Sequence, residues 1–236
     1  MLNVFVTPGE VFEELKASPV KIANWIVPVV LLTIVGWIGL WLAFSQPTVR
    51  YQLQQMTEKA MQKQLAHMSE ADADRIRQYG EVGIKINAAL MPVFLAWVTP
   101  FWWGLVVWLL GKFVFKANFS YLKALEANGL IAMIMTLDAV IRTLLIIVTG
   151  SMFAAPSLIL LVKDFDPQNL VHSLLGLVNI MIFWSLAVRA IALARLSGGS
   201  TVKAAVWVFG IWFAYMGAII GIGHAVQVVM ARVQGR

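Results

Sequence analysis

The sequence predicts an all-α, polytopic integral membrane protein with five transmembrane helices. Of its 236 residues, 60% are hydrophobic and only 13% charged, with a mean hydropathy of +0.80; a water-soluble domain cannot keep such an apolar excess solvated. Several apolar runs reach the ~20 residues that cross a ~30 Å hydrocarbon core at ~1.5 Å per residue. The Lys and Arg residues behind the net charge of +6 gather at the ends of those runs, where they anchor and orient helices. They form no clustered basic face, so no nucleic-acid partner is expected. Cysteine is absent, which excludes disulfides, thiolate metal sites and Cys nucleophiles.

Residues 1–23 do not read as a signal peptide, because the first dozen carry no Lys or Arg and Glu10, Glu13 and Glu14 precede the apolar run. They read as a short amphipathic helix. Thr7 is placed as N-cap, Pro8 at the first helical position and Glu10 three residues after the cap, with Val6 and Val11 at the staple positions. Val11, Phe12 and Leu15 share one apolar face, which is expected to lie on the membrane surface until Ser18-Pro19 ends the helix.

Trp25 to Phe44 is uncharged and forms the first span, with Pro28 near its start and a Gly36-x-x-Gly39 patch for close packing. Residues 46–85 are polar and helix-prone. Val49, Leu53, Met56 and Ala60 recur at three or four residues, and Ser69 followed by Asp72 restarts a second helix. The prediction is a solvated helical hairpin capping the bundle, with a docking surface for a partner as the sharper alternative. Ala88 to Gly111 is the second span, where Pro92 and Pro100 are expected to kink the helix.

The third span, Gly129 to Val148, contains Asp138 and Arg142. A charge at bilayer depth costs at least ~2.5 kcal/mol, so both side chains should face protein or trapped water. Their four-residue spacing puts them on one helix face, within reach of each other. Residues 151–162 are apolar but broken by Pro156 and too short to cross, hence interfacial or partly re-entrant. Leu170 to Leu193 is the fourth span and Ala204 to Val226 the fifth. The last carries Gly217-x-x-x-Gly221 in register with Ala214 and Ala225, a stripe that lets another helix approach closely. An intrachain contact is the expected use, and a homo-oligomer contact the other.

Lys112, Lys116, Lys123, Arg195 and Lys203 concentrate in the connections after spans two and four, which puts the N-terminus on the cytoplasmic side. Asp138 and Asn179 each lie nine residues into their spans from opposite sides, so both fall ~14 Å deep, with Thr33, Thr99 and Thr136 in a similar band. Three readings of this cluster remain open: an internally paired set that cross-links helices, a polar pathway or lipid-headgroup site, and a carboxylate coupled to proton movement. Arg189, near a helix end, is expected to snorkel. His67, His172 and His224 show no short ligand spacing, and no metal or cofactor is expected. No nucleophile with a nearby base and no phosphate loop occurs.

The Thr-Pro-Gly-Glu-Val-Phe-Glu-Glu-Leu-Lys opening (7 to 16), the polar hairpin after span one, and Phe-Trp-Ser-Leu (183 to 186) leading to Gly-Ser-Thr-Val-Lys-Ala-Ala (199 to 205) resemble the bacterial branch of the Yip membrane-protein family. The resemblance spans nearly the whole chain and implies one Yip-like membrane domain over 1–236, with five helices and a cytoplasmic N-terminus. Eukaryotic members of that family interact with Rab GTPases, work in vesicle traffic and membrane shaping, and carry a longer polar N-terminal region for partners, whereas only about 23 residues precede the first span here. The family supplies no catalytic residues to carry over. The expected function is non-catalytic: a scaffold or modulator of a membrane-protein or lipid assembly in a bacterial inner membrane, with membrane lipids and a membrane or periplasmic protein as partners. The alternative is a transporter or lipid-translocating protein using Asp138, Arg142 and Asn179.

Overall fold

The third span is the axis on which the other helices assemble. In the computed structural model, which describes residues 1–65, 70–163, 165–167 and 169–234, the helices are α1 (Pro8–Ala17), α2 (Ala23–Ser45), α3 (Pro47–Leu65), α4 (Glu70–Phe113), α5 (Tyr121–Thr149), α6 (Leu170–Leu177), α7 (Ile180–Ser197) and α8 (Thr201–Gln234). Short 3-10 turns lie at Leu2–Phe5 and Leu158–Leu161. Five of the helices are long and apolar enough to cross a membrane, over Ala23–Ser45, Val93–Phe113, Tyr121–Thr149, Ile180–Ser197 and Thr201–Val226.

α5 begins where the Ser120 side chain accepts from the Lys123 backbone N–H at 3.2 Å, and it stops at Gly150, whose φ of +67° suits a residue without a Cβ. α2 runs parallel beside it. Gly129 lies so close to Trp25 that a Cβ there would collide with it, and Gly39 meets Thr143 in the same way fourteen residues further along both helices. Small residues on alternate sides thus let the two backbones approach, as membrane helices do when packing rather than hydrophobicity holds them together. α4 lies against α5 on another side, and α7 and α8 complete a core of Val107, Leu110, Leu186, Leu193, Val208 and Trp212.

Several expectations change. The apolar face of α1 does not meet lipid: Phe12 and Leu15 are buried with Val4 against Ala127, Leu130 and Ile131 of α5 and Val188, Ala192 and Leu196 of α7, with Val11 packed at the edge. An apolar stripe fits a protein groove as well as a bilayer, and here the ends of α5 and α7 provide the groove. Thr7 occupies the N-cap but its side chain makes no capping bond, and Val6 is exposed, so the staple is not formed. The hairpin comprises two helices, α3 and α4, while His67 and Ser69 lie outside the described residues. As the apolar side carried by Ile76, Tyr79 and Ile86 suggests, the second hairpin helix runs on into span two, and α4 continues through Pro92 and Pro100 as one 44-residue helix.

The fourth span is not continuous either. It divides into α6 and α7 at Val178 and Asn179, where residues 156–158 return to pair with the break: the Leu158 N–H donates to Val178 O at 3.2 Å and the Ile180 N–H to Pro156 O at 3.1 Å. The segment after α5 therefore returns to the start of α7 and supplies backbone partners at the break between α6 and α7. At the same end, Gln52 of α3 donates to Gly150 O at 2.9 Å and accepts from the Met152 N–H at 3.0 Å, tying the hairpin to the end of α5.

Because Phe12 is a core residue, Phe12→Ala is expected to lower the stability of the detergent-solubilised protein by ~3 kcal/mol or more. Thermal unfolding followed by circular dichroism would show this as a clear drop in midpoint; an unchanged midpoint would return α1 to the membrane surface.

Candidate functional site

Two registers fix the depth of the polar residues. Along α2 and α5, Asp138 lies nine residues beyond the Gly129–Trp25 contact, ~14 Å in and near the centre of the apolar window of α2. Between α5 and α7, the Arg189 Nε–H donates to Asn128 Oδ1 at 3.3 Å. Ten residues along α5 lead from Asn128 to Asp138, and ten back along α7 lead from Arg189 to Asn179. Asp138 and Asn179 thus share one level, as their positions in the sequence suggest.

At that level Asp138 is buried and Arg142, one turn on, bridges its Oδ2 at 3.5 Å, although the Arg142 side chain remains 45% exposed. Asp138 Oδ1 has no hydrogen-bond partner, alone among the buried side-chain polar atoms of the described residues. Asn179 is spent on structure: its Oδ1 accepts from the Met181 and Ile182 N–H groups at 2.9 and 3.1 Å, capping α7 immediately after the break. Thr33 and Thr136 donate back to their own helices, to Val29 O and Ala132 O. Thr99 does not join the group. Gly104 lies against Leu125, so Thr99 falls near the level of Leu130, about two turns from Asp138.

Gly217 and Gly221 face open space among the described residues, so the small-residue stripe of α8 receives no helix from them, contrary to the expected intrachain contact. α8 packs on α7 and α6 along one side and leaves the other bare, because its core residues Ala204, Val208 and Trp212 repeat every four residues on a single face. His172 is occupied locally, accepting from the Asp166 N–H at 3.0 Å and stacking on Phe165. Among the described residues no three His, Cys, Asp or Glu side chains gather as metal ligands would.

Two polar centres are not evident from residue spacing. Arg189 does not snorkel. It points inward, donates to Asn128 and, through Nη1, to Ser185 Oγ at 2.8 Å, and lies 4.7 Å over the Trp103 ring. Neutral oxygens and a π face balance its charge, joining α4, α5 and α7. Glu126 is fully buried at the start of α5, accepting from the Lys21 N–H at 3.0 Å, Asn24 Nδ2 at 2.7 Å and Lys123 Nζ at 2.8 Å. Lys123 Nζ also donates to Ser18 O at 2.9 Å. The spacing of Lys123 and Glu126 is that of a helical ion pair, but their place next to an apolar run resembles ordinary flanking charge.

Removing the Glu126 carboxylate leaves the buried Lys123 ammonium with Ser18 O alone and takes the acceptor from the Lys21 N–H and the Asn24 amide. Glu126→Ala is expected to cost ~3–5 kcal/mol, and Glu126→Gln, which keeps a carbonyl for Lys21 and Asn24, distinctly less. Chemical or thermal unfolding of the two purified variants checks the order; equal stability would remove Glu126 from its structural role.

The chain was compared with known proteins. The family model described as the Yip1 domain matches residues 2–222, almost the full length. No curated protein and no solved structure matches the chain. With five helices suited to a multi-pass membrane protein and a family match that runs from α1 into α8, the chain belongs to the Yip1 family.

Proposed function

We propose that this Yip1-family protein is a non-catalytic scaffold or modulator that acts by binding a second membrane or periplasmic protein, in a bacterial inner membrane with its N-terminus cytoplasmic. The bare face of α8 carries this reading. Among the described residues, Gly210, Gly217 and Gly221 have no neighbour within 4 Å of where a Cβ would stand, while the opposite face is packed into the core. A helix with small residues on its open side permits close approach of a second helix. The polar residues of the interior favour a static bundle, since Glu126, Arg189 and Asn179 are bonded to groups of the same chain.

One observation favours the alternative of transport or lipid translocation: the unpartnered Asp138 Oδ1 at the level of the break between α6 and α7. Non-helical backbone at membrane depth often borders a pathway. The two readings separate on one pair of variants. On the scaffold reading, Gly217→Leu/Gly221→Leu leaves a folded, monodisperse protein that no longer co-purifies with its partner from native membranes, whereas Asp138→Asn changes yield or stability without selective loss of the partner. On the transport reading, the Asp138→Asn protein is folded but no longer moves a substrate, and the glycine variant is neutral. Retention of the same stoichiometric partner by the glycine variant, measured by mass spectrometry of the purified complex, would overturn the scaffold reading.

A further inference from the structure

At the end of the bundle where α4 stops and α8 starts, three lysines lie on or against one turn of chain. Lys203 of α8 donates to Val114 O at 3.3 Å, and Val114 lies two residues after Lys112 and two before Lys116. The turn is held in place by Phe115: a Cβ on Gly199 would collide with its ring, and Lys203 Nζ lies 4.9 Å over that ring. Lys112 Nζ stands 5.2 Å over Trp108 and 5.7 Å over Phe113. All three lysines are exposed, and none has a carboxylate within 4 Å among the described residues.

The acids at this end are engaged or on another element. Glu126 is buried and saturated by its donors, while Glu10, Glu13 and Glu14 belong to α1, where Glu13 faces Arg195 at 3.9 Å. On the same two helices, within a turn or so of Lys112 and Lys203 along the chain, Leu109, Phe113, Val202, Val206 and Trp207 are exposed. Cations over aromatic rings, bordered by bare hydrocarbon, match an amphiphile whose charged part is negative and whose remainder is aliphatic.

We infer that the junction of α4 and α8 is a binding site for an anionic phospholipid, with Lys112, Lys116 and Lys203 around the headgroup phosphate and the acyl chains along Phe113, Val202 and Val206. The site does not depend on which leaflet this end faces, nor on the scaffold reading. The test is native mass spectrometry of the full-length protein titrated with phosphatidylglycerol or phosphatidylcholine. Wild type is expected to retain phosphatidylglycerol at a saturable site and phosphatidylcholine at least tenfold more weakly. At roughly fivefold per lysine, Lys112→Gln/Lys116→Gln/Lys203→Gln is expected to weaken phosphatidylglycerol binding on the order of 100-fold, and Lys163→Gln to leave it unchanged.

Lys112→Gln/Lys116→Gln keeps the Lys203 bond to Val114 and tests the site even if the triple variant does not fold; its expected loss is on the order of 20-fold. Equal retention of the two lipids, undiminished phosphatidylglycerol binding by the double variant, or full displacement of the lipid by inorganic phosphate would each overturn the proposal. The last result would make this a site for free phosphate.

Discussion

The bundle depends on a carboxylate that water does not reach. Glu126 accepts from the backbone of Lys21, the side chain of Asn24 and the ammonium of Lys123, which itself holds Ser18 O. These bonds join the end of α1, the start of α2 and the first turns of α5 at one point. Close packing then becomes possible on both sides: α1 lays Phe12 and Leu15 over α5 and α7, and α2 descends along α5 with Trp25 against Gly129. Burying an ion pair is unfavourable unless hydrogen bonds complete its shell, and each carboxylate oxygen of Glu126 has at least one donor.

Inside a membrane, satisfaction of polar groups shapes helices as strongly as apolar packing does. Arg189 ties three helices with neutral partners, and Asn179 caps the start of α7 while the returning segment supplies backbone bonds at the break. Asp138 is the exception, with one oxygen bridged by Arg142 and the other unpartnered. The polar residues at mid-depth are therefore unlike one another. Asn179 is consumed by the backbone, and Asp138 retains unused capacity.

The five spans were legible because length and hydropathy respond to the bilayer alone, and the Asp138–Arg142 pair because it is local to one helix. What depends on a neighbouring element was not legible. The stripe of Val11, Phe12 and Leu15 shows an apolar face without saying whether lipid or protein covers it. An Asn within an apolar run gives no Pro or Gly signal, so the break at Asn179 became visible only with the returning segment at Pro156. Arg189 was misplaced for a related reason: distance from a helix end measures how far a side chain must snorkel, whereas direction decides whether it does, and direction is set by Asn128 and Trp103. The hairpin was legible from its polarity, and the run of its second helix into span two from Ile76, Tyr79 and Ile86, although Pro92, a residue that usually interrupts helices, sits inside it.

The bonds at Glu126 also constrain the order of assembly. Lys21 and its acceptor are 105 residues apart, and a ribosome adding ~5–20 residues per second makes the first roughly 5–20 s before the second. Throughout that interval the first span has no α5 to lie against, and the Phe12 face has neither of the helices that cover it. The early chain meets these partners only once the third span has been made. The first turns of α5 supply the earliest of these partners, and α7 completes the cover over Phe12 only afterwards, so assembly of this fold waits on the middle and later parts of the chain.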